Sequence, residues 1–107
     1  MQQDDAHMAA AGQNLHRFAS TGDRAALESC LGCCLAPAYR QAYARLGKDA
    51  DAQDAAQEAL LQLVRAADRY DPSRPLLPWL GCLVARACNR LQLSTARRRR
   101  REEAVME

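Results

Sequence analysis

Three groups of residues in this chain carry side chains able to bind charge, metal or a partner. The first is an arginine series near the C-terminal end: Arg86, Arg90 and the consecutive Arg97, Arg98, Arg99, Arg100 and Arg101. Guanidinium groups neutralise phosphates and stack on bases, and Asn89 adds an amide able to read base edges. An arginine run is also what a solvated tail looks like. The second group is Asp54, Gln57, Glu58 and Leu61. A lone exposed leucine is ordinary, but one set among acids and amides can anchor a partner helix while its neighbours fix the orientation. The third is five cysteines, of which Cys30, Cys33 and Cys34 share one helical face at i, i+3, i+4. With Cys82 or His16 they could ligate a metal. Paired zinc cysteines usually flank a turn, however, whereas this triplet lies inside a helical pattern, so buried thiols are the better reading.

Catalysis finds little support. His7 and His16 lie outside the periodic segments, the carboxylates are scattered over polar faces, and no His-x-x-x-His pair, nucleophile elbow or glycine-rich phosphate loop occurs. The expectation is a protein that binds without chemistry and needs no cofactor or metal.

Composition agrees. At 107 residues, with 49% hydrophobic and 26% charged residues, the chain has the makings of one globular domain with one modest core. No apolar run approaches the ~18 residues a membrane span needs. Asp4 and Asp5 stand where a secretory leader would be basic. An odd number of cysteines without a leader points to a reducing compartment, so a cytoplasmic location is expected. Residues 1–79 hold 8 Lys and Arg against 10 Asp and Glu; residues 80–107 hold 7 against 3, a local charge of +4 on a slightly acidic body. That asymmetry suits a polyanion at the basic end and a different partner for the body.

The elements that must position these groups all read as helix. Residues 1–8 are polar and expected to be mobile, and 9–19 suit a short helix carrying Leu15 and Phe18. Thr21-Gly22-Asp23 is a break, with Thr21 or Asp23 as the cap of the next helix. Apolar residues recur at helical spacing from Ala26 to Leu46, and Pro37 should kink or split that helix near Leu35 and Ala36. Gly47 is a helix stop and Asp49 or Asp51 caps the third helix. The cleanest stripe is Ala52, Ala55, Ala56, Ala59, Leu60, Leu63, Val64 and Ala67, expected to be buried. Tyr70-Asp71-Pro72-Ser73-Arg74-Pro75 forms a proline-bounded loop. A last helix starts near Leu76 or Pro78 and runs through Trp79, whose default is core packing, to the arginines. The fold expected is an all-α bundle of four or five helices.

Several strings together resemble a known family: Gly22-Asp23-Arg24-Ala25-Ala26-Leu27, Tyr39-Arg40, Leu46-Gly47, Asp51-Ala52-Gln53-Asp54-Ala55-Ala56-Gln57-Glu58-Ala59-Leu60-Leu61, Arg69-Tyr70-Asp71-Pro72, Pro78-Trp79-Leu80 and the arginine run. In that order they are similar to region 2 of bacterial sigma-70 superfamily factors, in particular the extracytoplasmic-function group, over about residues 20–101. The chain departs from that pattern at Leu60 and Val64, where the family often has Phe and Trp, and at Ala85-Arg86-Ala87, where the family places its asparagine nearer than Asn89.

The resemblance implies a domain division: an N-terminal extension at 1–20, the region 2-like domain at 21–101 and a tail at 102–107, with no region 4. It implies that Asp54, Gln57, Glu58 and Leu61 bind the clamp coiled coil of the polymerase β′ subunit. It also implies that residues after Trp79 engage the promoter −10 element and its non-template strand, with Arg86–Arg90 as a base-reading loop and Arg97–Arg101 as phosphate contacts. An anti-sigma factor is a further expected partner. Three rivals stand beside this reading: a sigma-like module that binds only protein, a non-specific helical nucleic-acid binder, and a metal-binding regulator built on the cysteines.

Overall fold

Helical spacing becomes helix throughout. The computed structural model describes residues 2–106 and contains α1 (Gln2–Thr21), α2 (Arg24–Leu46), α3 (Asp49–Arg65) and α4 (Leu76–Met106), with a single 3-10 turn at Ala67–Arg69. No strand occurs among the described residues. The fold is the expected all-α bundle. No described helix is long and apolar enough to cross a membrane.

Two of the breaks form as their residues dictate. Gly22 and Gly47 adopt φ of 76° and 70°, a region that costs other residues steric strain. Asp23 caps α2, its carboxylate accepting from the backbone N–H of Ala25 (3.1 Å) and Ala26 (3.3 Å). Gly47 closes α2 with its N–H on the Tyr43 carbonyl at 2.8 Å. The start of α3 differs from expectation. Lys48, not Asp49 or Asp51, is the N-cap of α3 and supplies no side-chain bond. The Asp49 carboxylate is taken instead by the Tyr39 hydroxyl of α2 and by Gln53 Nε2 at 3.1 Å. Asp49 and Asp51 still face the positive end of the helix dipole from its first turn.

The core is built on small side chains. Ala26, Cys30, Cys34, Ala38 and Ala42 of α2 and Ala52, Ala55, Ala56, Ala59 and Leu63 of α3 are buried. Leu15, Leu76, Leu80 and Val84 supply most of the bulk from α1 and α4. The α3 stripe is as expected except that Leu60 and Val64 are only half-buried. No polar or charged residue is buried among those described.

Three sequence expectations are corrected. The short helix at 9–19 begins at Gln2, and Met8, expected in a mobile stretch, joins Ala11 and Leu15 in the core. Of the kink or split expected at Pro37, the split does not occur: α2 is continuous through it. The buried row Cys30, Cys34, Ala38, Ala42 crosses the proline, and packing along it outweighs a penalty of about 3 kcal/mol. Arg86–Arg90 are helical, inside α4, so no base-reading loop exists there. Ala87 and Cys88 are buried within that segment, which ties it to the bundle as helix.

Leu63 is fully buried and Leu61 half-exposed, two residues along one helix. Leu63→Ala should therefore lower the unfolding free energy by about 2–5 kcal/mol, whereas Leu61→Ala should stay within about 0.5 kcal/mol. Urea titrations followed by helical circular dichroism measure both.

Candidate protein and nucleic-acid interfaces

α3 buries its alanine face in the bundle, against α2 and α4, and leaves the opposite side exposed. Asp54 and Gln57 are exposed there, Leu61 is 51% exposed, and Glu58 is half-buried toward α4. The four residues anticipated as a docking face do share one side of one helix. Gln62 Nε2 donates to Glu58 Oε1 at 3.0 Å, which fixes that carboxylate.

α4 carries the basic surface. At about 100° per residue, Trp79, Cys82, Arg86, Asn89, Arg90, Leu93, Arg97 and Arg101 fall within roughly a third of the circumference. At a rise of 1.5 Å per residue this track runs about 33 Å from Trp79 to Arg101. All its members but half-buried Trp79 are exposed. Arg98 and Arg99 fall on other sides of the helix, so the run is a collar and only part of it extends the track. Arg86 and Arg97 to Arg101 have no carboxylate within ion-pair distance among the described residues. Their charge is open to a ligand.

At the start of the track lies a feature that spacing alone did not reveal. Tyr70 and Trp79 stack with ring centroids 5.4 Å apart and planes inclined by 22°. They line a hollow of about 390 Å³ together with Arg69, Arg74, Pro78 and Cys82. The preceding loop is pre-formed. The Asp71 carboxylate accepts from the Ser73 N–H at 2.9 Å and from the Ser73 hydroxyl at 2.6 Å. Those bonds hold the Asp71 carboxyl below its ordinary range. The Tyr70 hydroxyl donates to the Arg74 carbonyl at 2.7 Å. Burial raises its phenol. Behind the stack, Gly12 of α1 leaves room: a Cβ there would come within 2.5 Å of the Tyr70 hydroxyl oxygen. The sequence signal was present as aromatics at positions 70 and 79 flanked by Arg69 and Arg74, but Trp79 reads by default as core.

The cysteines do not gather into a metal centre. No group of three His, Cys, Asp or Glu able to hold a metal occurs among the described residues. Cys30 and Cys34 lie one turn apart with Sγ atoms at 4.0 Å, sharing a thiol hydrogen bond in the core. That bond and burial push the Cys34 thiol up. Burial also raises Cys88. Cys82 is exposed and Cys33 half-buried. His16, the suggested fourth ligand, is exposed on α1.

Residues 33–102, nearly two thirds of the chain, match the sequence family described as Sigma-70 region 2. Neither a curated protein nor a solved structure matches the chain. The match spans α2 from Cys33 through the arginine run and so includes the docking face, the aromatic hollow and the whole track.

Native protein titrated with a thiol reagent should label Cys82 at once and Cys33 more slowly. Cys30, Cys34 and Cys88 should react only on unfolding, because burial shields all three and a raised pKa further suppresses the thiolate of Cys34 and Cys88. Mass mapping of the labelled peptides checks the order.

Proposed function

The chain belongs to the sigma-70 region 2 family, a transcription-factor domain of the kind that joins core RNA polymerase and takes part in promoter melting, and from that premise we propose a division of labour between its two surfaces. Asp54, Gln57, Glu58 and Leu61 dock on the clamp coiled coil of the β′ subunit, with Leu61 as the apolar anchor and the acids meeting basic side chains. An anti-sigma factor would compete for the same face. The track on α4 takes the non-template strand of the promoter −10 element. Arg97 to Arg101 supply phosphate contacts, and Arg86, Asn89 and Arg90 face the bases. The protein acts in the cytoplasm, where both partners are.

The single observation that carries this reading is the join between the track and the hollow. A single strand needs stacking platforms and a line of cations at phosphate spacing. The Tyr70–Trp79 pair, flanked by Arg69 and Arg74, opens onto the face that carries Arg86, Arg90, Arg97 and Arg101. A base lifted from its stack exposes all its edges, and a pre-formed hollow beside a cationic helix suits such a base. No bond is made or broken. Binding the open strand better than the duplex shifts the equilibrium toward open promoter.

Charge reversal at Asp54 or Glu58 to Lys should weaken capture of core polymerase at least tenfold while leaving the helical signal and unfolding midpoint intact, since neither residue is buried. Pull-down of core by the two variants tests the docking face; capture equal to the parent's removes it. On the DNA side, neutralising members of Arg97–Arg101 should lower affinity for every single-stranded sequence and flatten the salt dependence by about 0.7 per lost contact. Arg86→Ala, Asn89→Ala or Arg90→Ala should instead change the preferred sequence by about 1–3 kcal/mol per lost base contact. The measurement is a salt series with a −10-like oligonucleotide and a scrambled one, core polymerase present. Equal affinity for both, unchanged in the three variants, makes a non-specific nucleic-acid binder the better account. Normal core capture with no DNA binding makes it a protein-only module.

A further inference from the structure

We propose that Cys33 and Cys30 form a reversible dithiol, with Cys33 as the entry thiol, that exchanges with a small carboxylate-bearing disulfide seated in the hollow beside α2. The inference is independent of the partners proposed above. The string Cys30-Leu31-Gly32-Cys33-Cys34 places three thiols on little more than one turn of α2. Cys30 and Cys34 are sealed in the core with Sγ atoms 4.0 Å apart, whereas Cys33 is half-buried. Cys33 lines a hollow of about 500 Å³ where α1, α2 and the start of α4 meet, together with Gly32, Pro37, Leu77, His7 and Arg40. That space takes a molecule much larger than a peroxide. Its ionisable groups besides the thiol are a guanidinium and an imidazole, and no carboxylate of a described residue lines it, so it suits an anion.

α2 is softest where the bridge forms. Pro37 has no N–H, so the Cys33 carbonyl lacks the helical bond it would otherwise accept, and the proline ring presses on that same carbonyl. Gly32, beside it, adds backbone freedom and meets nothing within 4 Å of where a Cβ would stand. Residues three apart on a helix have Cα atoms about 5 Å apart, inside the range a disulfide spans, and Cβ atoms about 5–6 Å apart, against the about 4 Å a bridge needs. The backbone must give by roughly 1–2 Å, and Gly32 and the unbonded carbonyl let it. Cys34 has a different part. Its S–H donates to a thiolate at Cys30, which holds the Cys30 thiol below its ordinary range although burial opposes it. In the reaction the Cys33 thiolate attacks one sulfur of the incoming RS–SR; that bond breaks, RS⁻ leaves and Cys33–S–SR forms. The Cys30 thiolate then attacks the Cys33 sulfur, expelling the second RS⁻ and closing the bridge. Each cysteine proton passes through solvent to an RS⁻, so the chain loses two hydrogens and one RSSR becomes two RSH. A bridge closed against backbone strain is easily reduced, so small thiols reverse it.

The test incubates the full chain with oxidised glutathione, alkylates remaining thiols on unfolding and maps the peptides by mass without reduction. Exposed Cys82 takes up glutathione and serves as the reference. In the parent the peptide 25–40 should end two hydrogens lighter, without glutathione, with the alkyl group on Cys34. In Cys30→Ala the reaction should stop with glutathione on Cys33. That variant keeps a small side chain on a buried row already alanine at 38 and 42, and the parent's map tests the proposal without any variant. Arg40→Gln should slow modification of Cys33 about two- to fivefold and leave the rate at Cys82 unchanged. Glutathione left on Cys33 in the parent, a bridge that uses Cys34, or Cys33 untouched once Cys82 is fully modified overturns the dithiol. An Arg40→Gln rate equal to the parent's overturns the hollow as the seat of an anionic disulfide. None of these outcomes bears on polymerase or DNA binding.

Discussion

Close contact between α2 and α3 through small residues sets the geometry of both surfaces. Ala38 and Ala42 of α2 and Ala52, Ala56 and Ala59 of α3, with Cys30 and Cys34, give the two helices buried rows made mostly of small side chains. Helices meeting through alanine approach more closely than helices meeting through leucine, and such a contact has little slack. Methylenes added to these buried rows would overpack them, at a cost of about 1–3 kcal/mol. The close seam fixes the rotation of α3 about its axis. With its alanine side committed to the bundle, Asp54, Gln57 and Leu61 are left exposed. A looser, leucine-filled seam would tolerate rotation of α3, and the docking face would lose its definition.

From that seam the constraint passes to the basic surface in two ways. Leu80, Leu83, Val84, Ala87 and Cys88 hold the first half of α4 on the bundle, which sets which side of the helix carries Trp79, Arg86 and Arg90. Because α4 continues without a break to Met106, that rotational setting is carried outward to the exposed arginine run. The second route runs through α1. Gly12 admits the Tyr70 ring, Tyr70 stacks on Trp79, and its hydroxyl ties down the Arg74 carbonyl. A hollow with stacked walls and a hydrogen-bonded rim loses little conformational freedom when a flat ligand enters, and such pre-organisation is where affinity is gained in small sites.

Periodicity exposed the long-range plan and concealed the pairwise contacts. The α3 stripe, the Asp23 cap and the left-handed Gly22 and Gly47 were legible because each follows from one residue's own preference or from a spacing of three and four. Leu61 was legible as exposed for the same reason. The illegible features depended on partners distant in sequence. Asp49 is a natural cap, but Tyr39 takes its carboxylate. Pro37 is a natural break, yet a buried row runs through it. Met8 looked like part of a polar lead-in because Gln2, Gln3, Asp4 and Asp5 precede it, and only packing places it in the core. Arg86–Arg90 gave a loop by resemblance, although buried Ala87 and Cys88 already had the spacing of helix. The meeting of Arg90 with Glu58, 32 positions apart, has no local signature at all.

The distribution of charge explains why one small fold can serve two opposite partners. Every ion pair among the described residues is exposed, and no charged group is buried. Such pairs contribute about 0–1 kcal/mol each, so stability comes from the apolar seams and is nearly independent of the surface charges. The acidic face and the arginine collar can therefore be strongly charged without cost to the core, and each can be altered without unfolding the other. The same exposure makes both contacts sensitive to salt, since charges in water are screened over about 8 Å at physiological ionic strength. Neither surface alone can then be both strong and specific. Under the proposed function the two surfaces, held on one bundle, would act on partners that are themselves joined, and the second contact would form at the high effective concentration set by the first. On that reading, a domain with weak separate surfaces would become selective when both are engaged.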